Sequence, residues 1–304
     1  MRIKVIANLI LLSFLIVACK SEPKEAHKAV AESNEPVVRL SPERPDLNLS
    51  ILLDLSDRIN PDKYPDEAMQ FYERDLGYIN SIANAFEIHL RNKRSIKIND
   101  QIQLYIDPEP ADSKLNKKLA DLKLKFTRDN ATKDKILAVT ERYDSIPKLI
   151  YEASILDDAY VGSDVWRFFK NKVNDFCIEE DHRNILVILT DGYIYHKNTV
   201  LKENGLTSYL TPQTIRGFKL NASNWEENIE AKNYGFIPAN KNLNTLEVLV
   251  LGINPDPKNP YEEDVILKYW EDWFAKMGIE TYELKQALLP SDMNAIIQEF
   301  IWDE

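Results

Sequence analysis

Unbroken apolar runs that end abruptly in polar residues are the plainest pattern in this chain. Leu49, Ile51, Leu52, Leu53 and Leu55 fall in such a run, which closes on Asp54, Ser56, Asp57 and Arg58, with Pro61 just beyond. A run of this length, apolar on both faces, predicts a buried strand of a parallel sheet over residues 48–55. Residues 184–190 repeat the design, Asn-Ile-Leu-Val-Ile-Leu-Thr followed by Asp191 and Gly192. Residues 245–253 form a third run, and shorter strands are predicted at 101–106, stopped by Pro108 and Pro110, and at 280–285.

Between these runs the spacing changes to that of helices. Ala68, Tyr72, Leu76, Ile79, Ala83, Phe86 and Leu90 make one stripe of a helix over about 64–91, with Pro65, Asp66 and Glu67 expected in its first turn. Residues 122–127 read either as an edge strand or as the end of a helix starting near Ser113. Two helices are expected at 131–143 and 146–158, the second capped by Ser145 with Pro147 in its first turn. Tyr160 to Asp164 is a turn, followed by a helix carrying Val165, Phe168, Phe169, Val173 and Phe176. Asn259 is expected to cap a helix with Pro260 first and Lys276 and Gly278 at its end, and a last helix follows Ser291. Trp270, Trp273 and Phe274 sit at helical spacing and read as core. The alternation of strand and helix predicts an α/β fold of the Rossmann type, doubly wound, with a mostly parallel central sheet and helices on both faces. Residues 192–243 break the pattern: no period holds, apart from a short helix around 223–232, so a long insertion is expected to wall the edge beside Asp191.

The amino terminus changes the picture of where the domain works. Residues 1–18 have a positive start, Arg2 and Lys4, and an apolar stretch from Leu9 to Val17, the build of a signal peptide. Leu15 to Cys19 resembles the bacterial lipobox, which implies a lipidated Cys19, palmitate included, and a lipid anchor in a membrane of the cell envelope. Lys20 after the cysteine favours the outer membrane. Residues 19–46, rich in Glu, Lys, Ser and Pro, read as a disordered tether, and coil of that length spans ~30 Å. The folded domain is expected at 47–304.

Charge and cysteine usage narrow the partners. The net charge is −11, and −13 once Arg2 and Lys4 leave with the first eighteen residues. So acidic a surface disfavours nucleic acid and suits cations or basic partners. Cys177, the second of two cysteines, reads as a lone buried thiol. His27, His89 and His182 are too scattered for a metal cluster, and His196 reads as a loop histidine near Asp191 with Tyr193 and Tyr195.

Three segments together carry a nameable pattern. Asp54-Leu55-Ser56-Asp57-Arg58, Gly162-Ser163-Asp164 and Thr190-Asp191-Gly192 resemble the metal-ion-dependent adhesion site of the von Willebrand factor A family. The resemblance covers about residues 47–304. It implies a first strand lying beside the strand that ends in Thr-Asp-Gly, and a metal held by Asp54, Ser56, Ser163 and Asp191. Where the family has its second serine this chain has Arg58, so the pattern is degenerate. The guanidinium is expected either to point outward, leaving a weakened Mg²⁺ or other divalent-cation site, or to pair with Asp54 or Asp191 and replace the cation. Asp57 is expected to offset part of its charge, or to be a solvated loop acid.

The function expected from this is a membrane-anchored, non-enzymatic module that binds another protein, through a metal in the first of those two cases. An envelope hydrolase acting on a phosphate or ester, with Asp54 or Ser56 as nucleophile, is the competing expectation. Against it, the chain lacks an Asp-x-Asp nucleophile motif, a Gly-x-Ser-x-Gly elbow and a phosphate-cradling glycine loop. A scaffold that kept the fold and lost the metal site is the third.

Overall fold

Strand β1, Asp46–Leu53, shows why its sequence runs apolar on both faces. Leu47, Leu49, Ile51 and Leu53 enter one hydrophobic cluster, while Leu52 enters another. Alternate side chains point to opposite sides of a strand, so a strand with core on both sides has no place for a polar stripe. The polar exceptions are paired: the Asn48 amide donates to Asn184 Oδ1 at 2.8 Å. The architecture is that of a computed structural model describing residues 44–156 and 162–303. The expected signal peptide, Cys19, most of the tether, and Tyr160 and Val161 of the expected turn lie outside these residues. The strand begins at Asp46, one residue inside the expected tether.

The elements follow in order. After β1 come α1 (Phe71–Arg91), β2 (Asn99–Tyr105), α2 (Ser113–Ala120), β3 (Leu124–Thr127) and α3 (Lys133–Leu156). Then come α4 (Val165–Asn171), α5 (Val173–Phe176) and β4 (His182–Leu189). The segment after β4 holds β5 (Lys202–Glu203), β6 (Leu206–Thr207), α6 (Pro212–Gly217), α7 (Trp225–Lys232) and β7 (Gly235–Phe236). The chain ends with β8 (Leu246–Ile253), α8 (Glu262–Met277), β9 (Tyr282–Gln286) and α9 (Pro290–Trp302). Among the described residues the main sheet has six strands in the order β3-β2-β1-β4-β8-β9. All its pairings are parallel except β2 with β3. It is a mixed α/β fold of Rossmann-like build. The order reverses direction between β1 and β4, so the crevice at their carboxyl ends is the topological switch point.

Several expected boundaries shift, each for a local reason. Helix α1 starts at Phe71 rather than near Tyr64. Asp66 Oδ1 instead accepts the N–H groups of Ala68 and Met69, a turn that competes with helix. Gln70 and Glu73 then form a capping box. Of the two readings of 122–127 the edge strand holds, as β3, while the helix that starts at Ser113, α2, ends at Ala120 and does not reach it. The two helices expected at 131–143 and 146–158 are one, α3, with Pro147 inside it. Ser145 is no cap: its hydroxyl donates back to Glu141 O at 3.0 Å. Ile136, Val139, Tyr143, Ile146 and Ile150 keep one face of α3 buried through the proline, which offsets the lost backbone bond. The expected aromatic helix is broken at Lys172 into α4 and α5. Asn259 bonds the Tyr261 N–H, and α8 begins one residue after Tyr261.

The segment from 192 to 243 is ordered. A small sheet, β5-β6-β7, packs with α6 and α7, and Ile215, Leu220, Trp225, Ile229 and Phe236 join the same cluster as Trp270, Trp273 and Phe274 of α8. Burying side chains of that size contributes about 1.5–3 kcal/mol each. Among the described residues no helix is long and apolar enough to cross a membrane.

Candidate functional site

Two adjacent strands deliver their polar tips to one edge of the sheet. Asp54 N–H donates to Leu189 O at 3.0 Å, which carries the β1–β4 ladder one residue past the end of β1. Leu55 then takes φ 51, an uncommon turn for a branched side chain, and ends the strand there. On the other side, Asn254 N–H donates to Asp191 O at 3.0 Å. Hydroxyls knit the tips together. Thr190 Oγ1 donates to Asp54 Oδ2 at 2.7 Å, and Ser56 Oγ donates to Asp191 Oδ2 at 3.2 Å. Asp191 Oδ1 accepts the Tyr193 N–H at 3.0 Å. Above them opens a cavity of about 910 Å³ with Asp54, Ser56, Arg58 and Asp191 among its lining and Tyr64, Tyr193 and Tyr195 in its wall.

Ser163 reaches this site as a fastener. Its N–H donates to Asp54 O at 2.6 Å and its hydroxyl to Leu53 O, so its proton is committed to β1 and only its lone pairs are left to offer. Gly162, at φ 78, lets the loop pass close to the backbone of Asp54 and Leu55. Asp57 points away: it is exposed and its partner is Lys63 at 3.3 Å, so it does not offset Arg58.

Arg58 follows neither expected course. It is neither outward-pointing nor bonded to Asp54 or Asp191. It turns inward, 4% exposed, and its Nη2 donates to both oxygens of Asp75 on α1 at 2.8 Å. The Tyr151 hydroxyl of α3 donates to Asp75 Oδ2 at 3.0 Å. Phe71 lies 5.7 Å below the guanidinium. Nε and Nη1 of Arg58 are buried and have no hydrogen-bond partner among the described residues.

The charges explain what the site lacks. Burial, then the charge of Asp191, push the Asp54 carboxyl well above its usual range, against the pull of the Thr190 hydroxyl and Arg58. Burial also lifts Asp191, opposed by Arg58, the Tyr193 N–H and Ser56. Burial lifts Asp75 against Arg58 and Tyr151. Burial works against the Arg58 charge, and Asp75 and Asp191 outweigh it. Buried Asp54 and Asp75 and half-buried Asp191 thus lie in the field of one guanidinium, and no described residue donates to Asp54 Oδ1. That crowding of carboxyl groups, with the Ser56 hydroxyl beside it, fits a hard divalent cation, whose charge would favour their ionised forms and which completes its shell with water. Among the described residues no three His, Cys, Asp or Glu side chains converge as a ready-made metal cluster, so the protein would supply only part of the shell.

Asp75, Tyr151 and the Thr190 hydroxyl carry roles the sequence reading did not assign. A signal for Asp75 was there: it lies four residues after Phe71 and four before Ile79, on the buried face of α1. His196 is likewise not a bland loop residue. It is 2% exposed and its Nδ1 lies 3.3 Å from Asp164 Oδ2, which also accepts the Thr199 hydroxyl. This cluster braces the segment after β4 against the Gly162 loop. Cys177 is buried and free, its thiol pushed up to about 12 by burial. Trp270 and Trp273 are fully buried, as expected of core.

No family model and no curated protein matches the chain. Solved structures do resemble it. One is an aerotolerance-related membrane protein of Bacteroides fragilis carrying several substitutions to serine, 12% identical, covering 84% of this chain and 98% of that one at a TM-score of 0.37. Another is BatB of Bacteroides thetaiotaomicron, described as a conserved hypothetical protein, 14% identical over 83% of this chain and 96% of that one, TM-score 0.36. A third is the pilus adhesin SpaC of Lactobacillus rhamnosus GG, 9% identical over 85% of this chain and 31% of that one, TM-score 0.38. Scores this low support nothing about the site, which stands on its own geometry.

Proposed function

We propose that this chain is a non-enzymatic protein-binding module of von Willebrand A-like type, anchored by lipid at Cys19 to the bacterial envelope, in the outer membrane. A divalent cation such as Mg²⁺ at the carboxyl edge of β1 and β4 would join it to its partner. The observation that carries this reading is the carboxylate pair of buried Asp54 and half-buried Asp191, which open on the cavity and bond no cationic side chain among the described residues. Asp54, Ser56 and Asp191 would hold the ion, with Ser163 fixing the loop beside them. The cation would supply the positive charge that no described side chain brings into bonding contact with either carboxylate, and open positions for a partner's oxygen. Tyr64 and Tyr195, about half exposed at the mouth, suit a protein surface. Titration of the full chain with Mn²⁺ should show saturable binding, lost in Asp191→Ala. A folded protein without binding would sink the cation and favour a scaffold.

One contact supports the hydrolase reading: Ser56 donates to Asp191, a nucleophile beside a carboxylate. Among the described residues no histidine links the two, and His196 is held by Asp164 instead. Turnover of a generic phosphoester or ester, abolished by Asp54→Asn, would establish an enzyme.

A further inference from the structure

Arg58 is the residue that departs from the adhesion-site pattern, and its surroundings show how the departure is contained. A guanidinium carries five N–H donors. Here one amino group donates to both Asp75 oxygens, while Nε and Nη1 stay buried without a partner among the described residues. Such idle donors favour a swing toward any free carboxylate. Asp191 is near enough for the two charges to affect each other. The arginine nevertheless stays on Asp75, which is 1% exposed and held from behind by Tyr151. Gly252 makes room for it, since a Cβ there would lie 2.9 Å from Nη2.

We infer that Asp75 is a positioning residue whose hold on Arg58, backed by Tyr151, keeps the guanidinium off Asp54 and Asp191 so that the pair stays open to a divalent cation. This rests on the cation reading proposed above. Arg58 and Asp75 bond to each other, and the two strand-end carboxyl groups are left without a bonded cationic side chain among the described residues. Without Asp75, the chain's own arginine becomes the counter-ion of Asp191, and an added cation must displace it.

The test is Mn²⁺ titration of the full chain in four forms: wild type, Asp75→Asn, Arg58→Ser, and the double variant, each checked for folding by circular dichroism. Asp75→Asn should weaken Mn²⁺ binding about tenfold or more while Arg58 is present, and change it less than about twofold in the Arg58→Ser background. Equal losses in both backgrounds would mean that Asp75 only supports the structure, and an unchanged Asp75→Asn would also overturn the inference. A folded wild type that binds no Mn²⁺ removes the cation reading itself, and this inference with it. If Asp75→Asn does not fold, Tyr151→Phe replaces it, with about threefold weaker binding expected only where Arg58 remains; equal effects with and without Arg58 would again overturn the inference.

Discussion

Gly252 sits at φ 99, where a Cβ would lie 3.0 Å from Thr190 O as well as against Arg58. Both the backbone angle and the contact exclude a side chain, so Gly252→Ala should destabilise the fold by about 1–3 kcal/mol, read from urea unfolding. Thr190 is the other small residue with a large task. Thr190→Val keeps its shape but withdraws the hydroxyl from Asp54 and from the Gly192 N–H, which bonds Thr190 Oγ1 at 3.1 Å. The expected loss is about 1–3 kcal/mol, again by urea unfolding. At this scale the candidate residues Asp54, Ser56 and Asp191 were legible as polar tips on apolar runs. The partner of Arg58 was not, because a side chain's reach across 17 residues of sequence depends on which way a buried rotamer turns.

Asp100, on β2, is the clamp between elements at the other end of the sheet. Its carboxylate accepts the Leu47 N–H of β1 at 2.8 Å, His89 Nε2 of α1 at 3.0 Å and the Lys93 ammonium at 2.9 Å. Burial alone would raise this carboxyl, but those donors outweigh it and hold it below the usual carboxylate range. A depressed carboxyl contributes stability that is present above about pH 4 and lost as pH falls through its folded value. Asp100→Asn should therefore destabilise by about 3 kcal/mol near neutral pH, with the difference shrinking as pH falls below about 4, as chemical denaturation across that range would show. Strands were readable because a run buried on both faces leaves a continuous apolar signature. Helix boundaries were less so. Asp66 and Gln70 delay α1 through side-chain bonds to backbone, and α3 runs through Pro147 because its buried face outweighs one missing hydrogen bond.

For the whole molecule, a ligand that binds only the folded state adds to its stability by mass action. At a hundred times its Kd, a divalent cation should add about 2.7 kcal/mol and raise the midpoint of thermal unfolding by roughly 5–10 °C, an effect absent in Asp191→Ala and reversed by EDTA. The sequence by itself determined the alternation of buried strand and amphipathic helix, the acidic balance and the polar tips of two strands, because these are carried by local order and composition. That the tips meet was expected from the family resemblance alone and not from periodicity or composition. Asp54 and Thr190 are 136 residues apart and touch because β1 pairs with β4, a choice no local pattern encodes. Only the tertiary structure could also decide that Arg58 answers Asp75 and leaves Asp54 and Asp191 to share their charge. Burial and distance set the strength of charges in a low-dielectric interior, and neither exists until the chain has packed.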